Sequence, residues 1–290
     1  MKNQQEQPLT HSPHEKISYT AIGVAYARTF SDIPFSKEIS DICDASNLTP
    51  ENAELHHKMA PYFEARFKSL TNALEQSGIK NILELASGVG PRDLIMSKNA
   101  EINYIETDLP DMLRQKQDVL EKLLKKENRQ LPTNLHFSEL NVLDKESFLR
   151  AVAKFPEGPI AIGHEGLLAY FSHEEKQKMA EIIHPILVQR GGVWITSDIY
   201  TYEDLNNLKI DGPHNEAMNE LKTRTGRDYM ANTFVDLDAA KNFFGNLGFD
   251  FVIRTIGEVA GGIASDKIGL DEESVKKQLS IKIWELRPKK

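Results

Sequence analysis

From residue 80 onward the chain alternates short apolar runs with amphipathic stretches, and that rhythm restricts it to few folds. "KNILELAS" (80–87) reads as a strand, and a helix follows from Pro91. "INYIETD" (102–108) is a second strand. It leads into the helix "LPDMLRQKQDVLEKLLKKE", with Leu109, Met112, Leu113, Leu120, Leu123 and Leu124 on one broad face. "LHFSELNV" (135–142), "PIAIGHEG" (159–166) and "VWITSDIY" (193–200) are three more strands, separated by helical segments. In the last of these segments Ser172 and Glu175 have the spacing of a capping box, and Gly191 stands past its end. Strands separated by helices in this way form a parallel sheet with right-handed crossovers. The chain then changes habit. A helix and strand over 236–255 and a last strand over 278–288 flank a loop rich in Gly and acids, which predicts a closing hairpin at one sheet edge.

Outside this core, residues 17–78 read as a helical cap, ending at Gly78, and 79–290 as the sheet-bearing core. Residues 1–16 are expected to be mobile. The polar, irregular stretch from about 201 to 233 is longer than an ordinary connection and is read as a substrate-side insertion. Charge and cysteine content narrow the setting. With 35 basic and 43 acidic residues the net charge is −8, which argues against a partner held through nucleic-acid phosphates. The lone Cys43 has no partner for an internal disulfide, no apolar run approaches the ~18–20 residues of a membrane span, and no signal-peptide stretch opens the chain. A soluble, cytoplasmic protein without a membrane partner is expected; the oligomeric state is not legible.

In a sheet of this kind ligands sit beyond the carboxyl ends of the strands, where strand order reverses. The turn "ILELASGVGPRD" (82–93) is the first such place. A P-loop requires a lysine and a hydroxyl residue after its last glycine, and none follows Gly90. A dinucleotide fingerprint requires a third glycine, and Asp93 stands there, where its charge would repel a pyrophosphate. A cationic, phosphate-free nucleoside fits better, which points to S-adenosylmethionine. Glu84 lies near the strand end, Gly88 and Gly90 allow close backbone approach, and an acid ending the second strand would accept from both ribose hydroxyls. Asp108 is the first choice and Glu106 the fallback; Asp108 as a helix cap is the competing role.

Four segments in order, "ELASGVGPRD", "NYIETDLPDMLRQK", "HEGLLAYFS" and "WITSDI", resemble the leucine carboxyl methyltransferase family. More closely, they resemble a bacterial branch of O-methyltransferases often linked to polyketide biosynthesis. "SYTAIGVAYARTFSDIPFS" is similar to that branch's N-terminal segment, so the likeness spans roughly residues 17 to 200. Its most telling piece is acid-x-Asp-x-Pro at the second strand, with Lys116 in the next helix. The resemblance implies a Rossmann-like class I methyltransferase fold: a seven-stranded, mostly parallel sheet with helices on both faces. It also implies roles for residues. Arg66 would hold the cofactor carboxylate, and Ala86, Ser87 and Gly88 would contact the methionine part. Glu139 and Leu140 would flank adenine, and Glu165, opening an E-x-x-L-x-Y pattern that ends at Tyr170, would lie on the cofactor side. The chain departs from the family at Ala86, Gly90 and Glu139, where Gly, Asp and Asp are usual; Arg92 is kept.

The expected reaction is methyl transfer to an oxygen of a small-molecule acceptor. A carboxylate acceptor, ionised at neutral pH with an ordinary pKa of about 4, needs no base, whereas a hydroxyl does. His164, Asp198 and Tyr200 are the candidate bases, with His164 as a hydrogen-bonded rim histidine the competing reading. No metal is expected: the nine histidines are scattered, and the neighbours His56 and His57 point to different helix faces. A nicotinamide-dependent oxidoreductase and a cofactor-binding module without catalysis are the alternatives.

Overall fold

In the computed structural model, residues 13–45, 48–209 and 226–289 are described, residues 13–20 as backbone only. Residues 1–12 of the segment expected to be mobile, and 210–225 of the expected insertion, lie outside the described residues. Among the described residues, four helices precede the first strand: α1 (Pro13–Arg28), α2 (Ser36–Ile42), α3 (Pro50–Lys58) and α4 (Ala60–Gln76). The alternating part runs β1 (Asn81–Leu85), α5 (Arg92–Met96), β2 (Asn103–Asp108), α6 (Pro110–Lys126), β3 (Leu135–Glu139), α7 (Lys145–Val152), β4 (Ile160–His164), α8 (His173–Arg190) and β5 (Gly192–Thr196). It continues through α9 (Tyr202–Asn207), α10 (Leu237–Asn246), β6 (Phe249–Thr255), α11 (Ile256–Ala260), α12 (Glu272–Leu279) and β7 (Lys282–Pro288).

The seven strands lie in the order β3-β2-β1-β4-β5-β7-β6. Neighbours from β3 to β5 pair in parallel, and β7 runs antiparallel to both β5 and β6. Successive side chains on a strand point to opposite faces, and the sheet accordingly builds two cores. Ile82, Tyr104, Ala161, Val193 and Ile283 meet Leu70 and Leu74 of α4, Leu120 and Leu123 of α6, and Val259 of α11. Leu83, Ile105, Ile162, Trp194 and Trp284 meet Phe148 of α7, Met179 and Ile183 of α8, and Phe244 of α10. The capping box at the start of α8 forms as the sequence implies, with Ser172 and Glu175 exchanging side-chain and backbone bonds.

Two details place the site. Strand order reverses at β1, whose partners on either side are β2 and β4. At Gly163 in β4, an added Cβ would stand 3.2–3.3 Å from methyl carbons of Leu74 and Leu70. The missing side chain lets α4 lie close on the sheet, and so brings Tyr62 and Arg66, nearer the start of that helix, toward the strand ends. One expectation changes. The stretch 256–274 is not a plain loop, because Thr255 and Glu258 form a capping box that starts α11, Gly261 ends it at φ 72, and the Asp271 side chain caps α12.

Candidate active site at the reversal of strand order

The turn after β1 is tied to the end of β2. Ser87 donates its N–H to the carbonyl of Thr107 at 3.2 Å, and Gly88 donates to Asp108 Oδ2 at 3.0 Å. Asp108 Oδ1 accepts from Leu109 N–H at 2.8 Å. Leu109, not Asp108, is the N-cap of α6, so Asp108 ties the turn to the helix start. Burial pushes the Asp108 carboxyl up to about 6, against the two backbone N–H bonds that favour its charged form. Two turn residues have left-handed backbone, Ala86 at φ 50 and Gly88 at φ 57. A Cβ on Gly88 would lie 3.6 Å from the Ala21 methyl of α1, an ordinary contact, so conformation limits this position more than space does. Gly88→Ala is therefore expected to cost about 1 kcal/mol and Gly88→Val on the order of 2 kcal/mol, since β-branching worsens the left-handed clash. Urea unfolding of both variants checks this; equal costs would point to some other constraint.

Beside the turn, five charged side chains are packed together. Glu165, just after β4, accepts from Arg28 Nη2 at 2.5 Å, Arg66 Nε at 3.1 Å and Arg92 Nη2 at 2.8 Å. Arg92 also pairs with Glu84, whose second oxygen accepts from Tyr104 Oη at 2.5 Å. The Phe67 ring lies under Arg92 at 4.4 Å and under Arg28 at 4.8 Å. Burial alone would raise the Glu165 carboxyl; the guanidiniums of Arg28, Arg92 and Arg66 outweigh it and bring it to about 2. Burial lowers Arg28 to about 10, with Glu165 opposing and the other two arginines adding to the fall. Three guanidiniums face two carboxylates, which leaves one positive charge in excess.

A second group lies under β4 and β5. His164 Nδ1 is 3.2 Å from Asp198 Oδ2 and 3.2 Å from Thr196 Oγ1, and both His164 and Asp198 are buried. Asp198 also accepts the backbone N–H groups of Gly166, Leu167 and Leu168, so it holds the loop that carries Glu165. Tyr200 shares a hydrogen bond with Tyr62, whose hydroxyl accepts from Arg66 Nη1 at 3.1 Å.

The structure thus brings together Arg66, Glu84, Ala86, Ser87, Gly88, Asp108 and Glu165 around the turn. Leu140 is buried and donates its N–H to the Asp108 carbonyl at 2.9 Å. Glu139 ends β3 beside Asp108 with its side chain exposed. Glu106 is fully buried with its carboxylate 2.7 Å from Lys116. Asp93 is not presented to a ligand as the sequence suggests: it is fully buried and 3.4 Å from Lys116, which offsets its charge. Sequence reasoning passed over Arg28 and Tyr62. The available signal for Arg28 was a lone arginine amid small and apolar residues in "GVAYAR", at the end of α1. Among the described residues no group of three or more His, Cys, Asp or Glu side chains is gathered as metal ligands would be. No helix among them is long and apolar enough to cross a membrane.

The model of the leucine carboxyl methyltransferase family matches residues 3–184, more than half of the chain. The chain belongs to that family. Its methyl donor is S-adenosylmethionine, and the chain is an S-adenosylmethionine-dependent methyltransferase, which sets the oxidoreductase alternative aside. No curated protein matches it significantly in sequence. Among solved structures, a DUF574 family protein from Streptomyces avermitilis aligns over 93% of this chain and 97% of its own, with a TM-score of 0.56 at 15% identity. A candidate methyltransferase from Thermobifida fusca aligns over 95% of this chain and 94% of its own, with a TM-score of 0.54 at 15% identity. These likenesses show the shared class I methyltransferase fold.

Proposed function

We propose that this methyltransferase acts on an oxygen of a small-molecule acceptor, and that the oxygen belongs to a carboxylate. The observation that carries the choice is the state of the candidate bases. His164 and Asp198 are buried against each other, and Asp198 is further occupied by three backbone N–H groups. Both are sealed from the surface, His164 with its Nε2 buried and, among the described residues, without a hydrogen-bond partner, so an acceptor hydroxyl reaches neither of them. Glu165, brought down to about 2 among three arginines, is a poor base. Burial raises the Tyr62 and Tyr200 hydroxyls, which suits them to donate hydrogen bonds at neutral pH and not to accept protons. An acceptor that is already ionised needs none of them.

The residues at the turn suit the donor. The excess guanidinium charge of Arg28, Arg66 and Arg92 matches its carboxylate, Gly88 allows the backbone to come close, and Asp108 matches the ribose hydroxyls. Glu84, tied to Arg92 and Tyr104, acts through Arg92. Glu139 and Leu140 at the end of β3 are assigned to the adenine. The donor supplies a methyl group already activated on a sulfonium; the protein's part is alignment at roughly 3 Å and exclusion of water. The helices before β1 and the insertion at about 201–233 are assigned to the acceptor side.

A pH–rate profile across a panel of small carboxylates and phenols tests this reading. At saturating S-adenosylmethionine, carboxylates are expected to turn over at a rate flat with pH from about 6 to 8, because they are ionised throughout. Turnover of phenols alone, with a rate rising through neutral pH, would defeat it. Bound S-adenosylhomocysteine with no transfer to any acceptor would favour a module that binds without catalysis.

A further inference from the structure

The sequence marks Lys116 as part of the acid-x-Asp-x-Pro…Lys pattern, and the cofactor contacts assigned above leave it without a role. In the structure Lys116 projects from α6 into the space beneath the glycine turn. Its Nζ donates to the carbonyl of Gly90, and it lies 2.7 Å from Glu106 Oε1 and 3.4 Å from Asp93 Oδ1. The side chains of all three charged residues are fully buried. Burial, then Asp93, push the Glu106 carboxyl well above its ordinary range, while Lys116 favours its charged form. Buried ion pairs of this kind add little net stability compared with apolar packing of the same volume. Their position is more telling than their energy. Lys116 touches the turn at Gly90, and an added Cβ on that glycine would stand 2.9 Å from Arg28 Nη1. Lys116 also acts electrostatically on Asp108, favouring its charged form.

We propose that Lys116 is a positioning residue for the methyl donor: it holds the Gly90 carbonyl, and its charge keeps Asp108 ionised to receive the ribose hydroxyls. This rests on the reading of Asp108 as the ribose acid. Two consequences separate it from simple packing. The first concerns shape, since without Lys116 the Gly90 end of the turn loses its anchor. The second concerns charge. Asp108 has Lys116 on α6 as its cationic neighbour and Glu84 on β1 as an acidic one. Asp93 and Glu106 face Lys116 itself, and Glu139 ends the adjacent strand β3. Removing the ammonium leaves Asp108 among acids, so it would protonate at higher pH.

Calorimetric titration of the full chain with S-adenosylhomocysteine, from pH 5 to 8.5, tests both. The wild type is expected to lose affinity as pH falls through about 6. Lys116→Met should bind about tenfold more weakly at pH 7.5, and its affinity should begin to fall at higher pH than in the wild type. Lys116→Arg restores the charge without the fit, so it should recover the wild-type pH dependence and not the full affinity. If Lys116→Met does not fold, Asp93→Asn carries the test: with its opposing acid gone, Lys116 should hold Asp108 ionised to lower pH. An unchanged pH dependence in the folded Lys116→Met chain, or failing that in Asp93→Asn, overturns the role of Lys116 and leaves that of Asp108 standing. A wild type whose affinity does not fall near pH 6 removes the Asp108 reading and this proposal with it.

Discussion

Asp108→Ala is expected to lower the affinity for S-adenosylhomocysteine by at least about 100-fold at pH 7.5. A carboxylate that accepts from two ribose hydroxyls makes two charge-assisted bonds, each worth about 1.5–3 kcal/mol, and the variant also frees the Gly88 N–H that fixes the turn. Stability should move the other way in the more conservative Asp108→Asn. The Asp108 carboxyl titrates in the fold at about 6, above its ordinary 3.8. A group raised in this way contributes its full stability below the unfolded value and loses it as pH rises through the folded one. At pH 7.5 the ionised Asp108 therefore weakens the empty protein, by up to about 3 kcal/mol before solvent screening of a half-buried group is allowed for. Asp108→Asn should accordingly melt higher than the wild type at pH 7.5, lose that advantage below pH 4, and bind poorly throughout. Undiminished binding in the alanine variant, measured by calorimetry, would sink the assignment. A lower melting temperature in the asparagine variant would show that the carboxylate is better solvated than its surroundings imply.

The second large effect is on folding. Glu165→Ala should cost on the order of 3–5 kcal/mol, the usual penalty for leaving buried charge without its partner. Arg28 and Arg66 pair with this carboxylate, and Arg92 divides its guanidinium between Glu165 and Glu84. Of the three, Arg28 should suffer most, because burial has already lowered it to about 10 with Glu165 as the charge opposing that fall. Arg28 ends α1, so that helix is expected to loosen and become open to protease near residue 28. The pH dependence has a definite sign. Glu165 titrates at about 2 in the fold against an ordinary 4.5, so its contribution is present above pH 4.5 and fades as pH falls toward 2. The wild type should lose that contribution in this window, and Glu165→Ala should show a flatter acid limb. Adding Arg28→Met to Glu165→Ala should recover part of the loss. A cost under about 1 kcal/mol in urea unfolding would mean that water, not Glu165, balances these arginines.

Much of the fold was legible because local chemistry and tertiary context agree. The runs at 81–85, 103–108, 160–164 and 192–196 are apolar enough to be central strands, 135–139 has the mixed character of the edge strand it forms, and α7 and α8 carry their own side-chain caps. The stretch 256–274 was harder to read. Its glycines and acids suggest a loop, yet the same acids cap short helices, and a five-residue helix such as α11 has too little periodicity to stand out. Asp93 was misread for a related reason. In sequence it occupies a ligand-facing position of a known motif, but a carboxylate in the first turn of a short helix can turn either way. Lys116, more than twenty residues on, turns it inward.

What the sequence by itself determined is the sheet, its glycine turn, and that an acid, Asp108, stands at the end of β2. These follow from backbone periodicity and from residues adjacent in the chain, where hydrogen-bond and steric rules act over a few positions. Which charges balance which was decided only by the tertiary structure. Arg28, Arg66, Arg92 and Glu165 span 137 residues and meet because α4 packs on β4 and α1 packs on α4. His164 and Asp198 look like two separate candidate bases in the sequence, and the fold makes them partners of each other. A titrating side chain takes its state from burial and from the charges within a few ångströms, and neither quantity exists until the chain has folded.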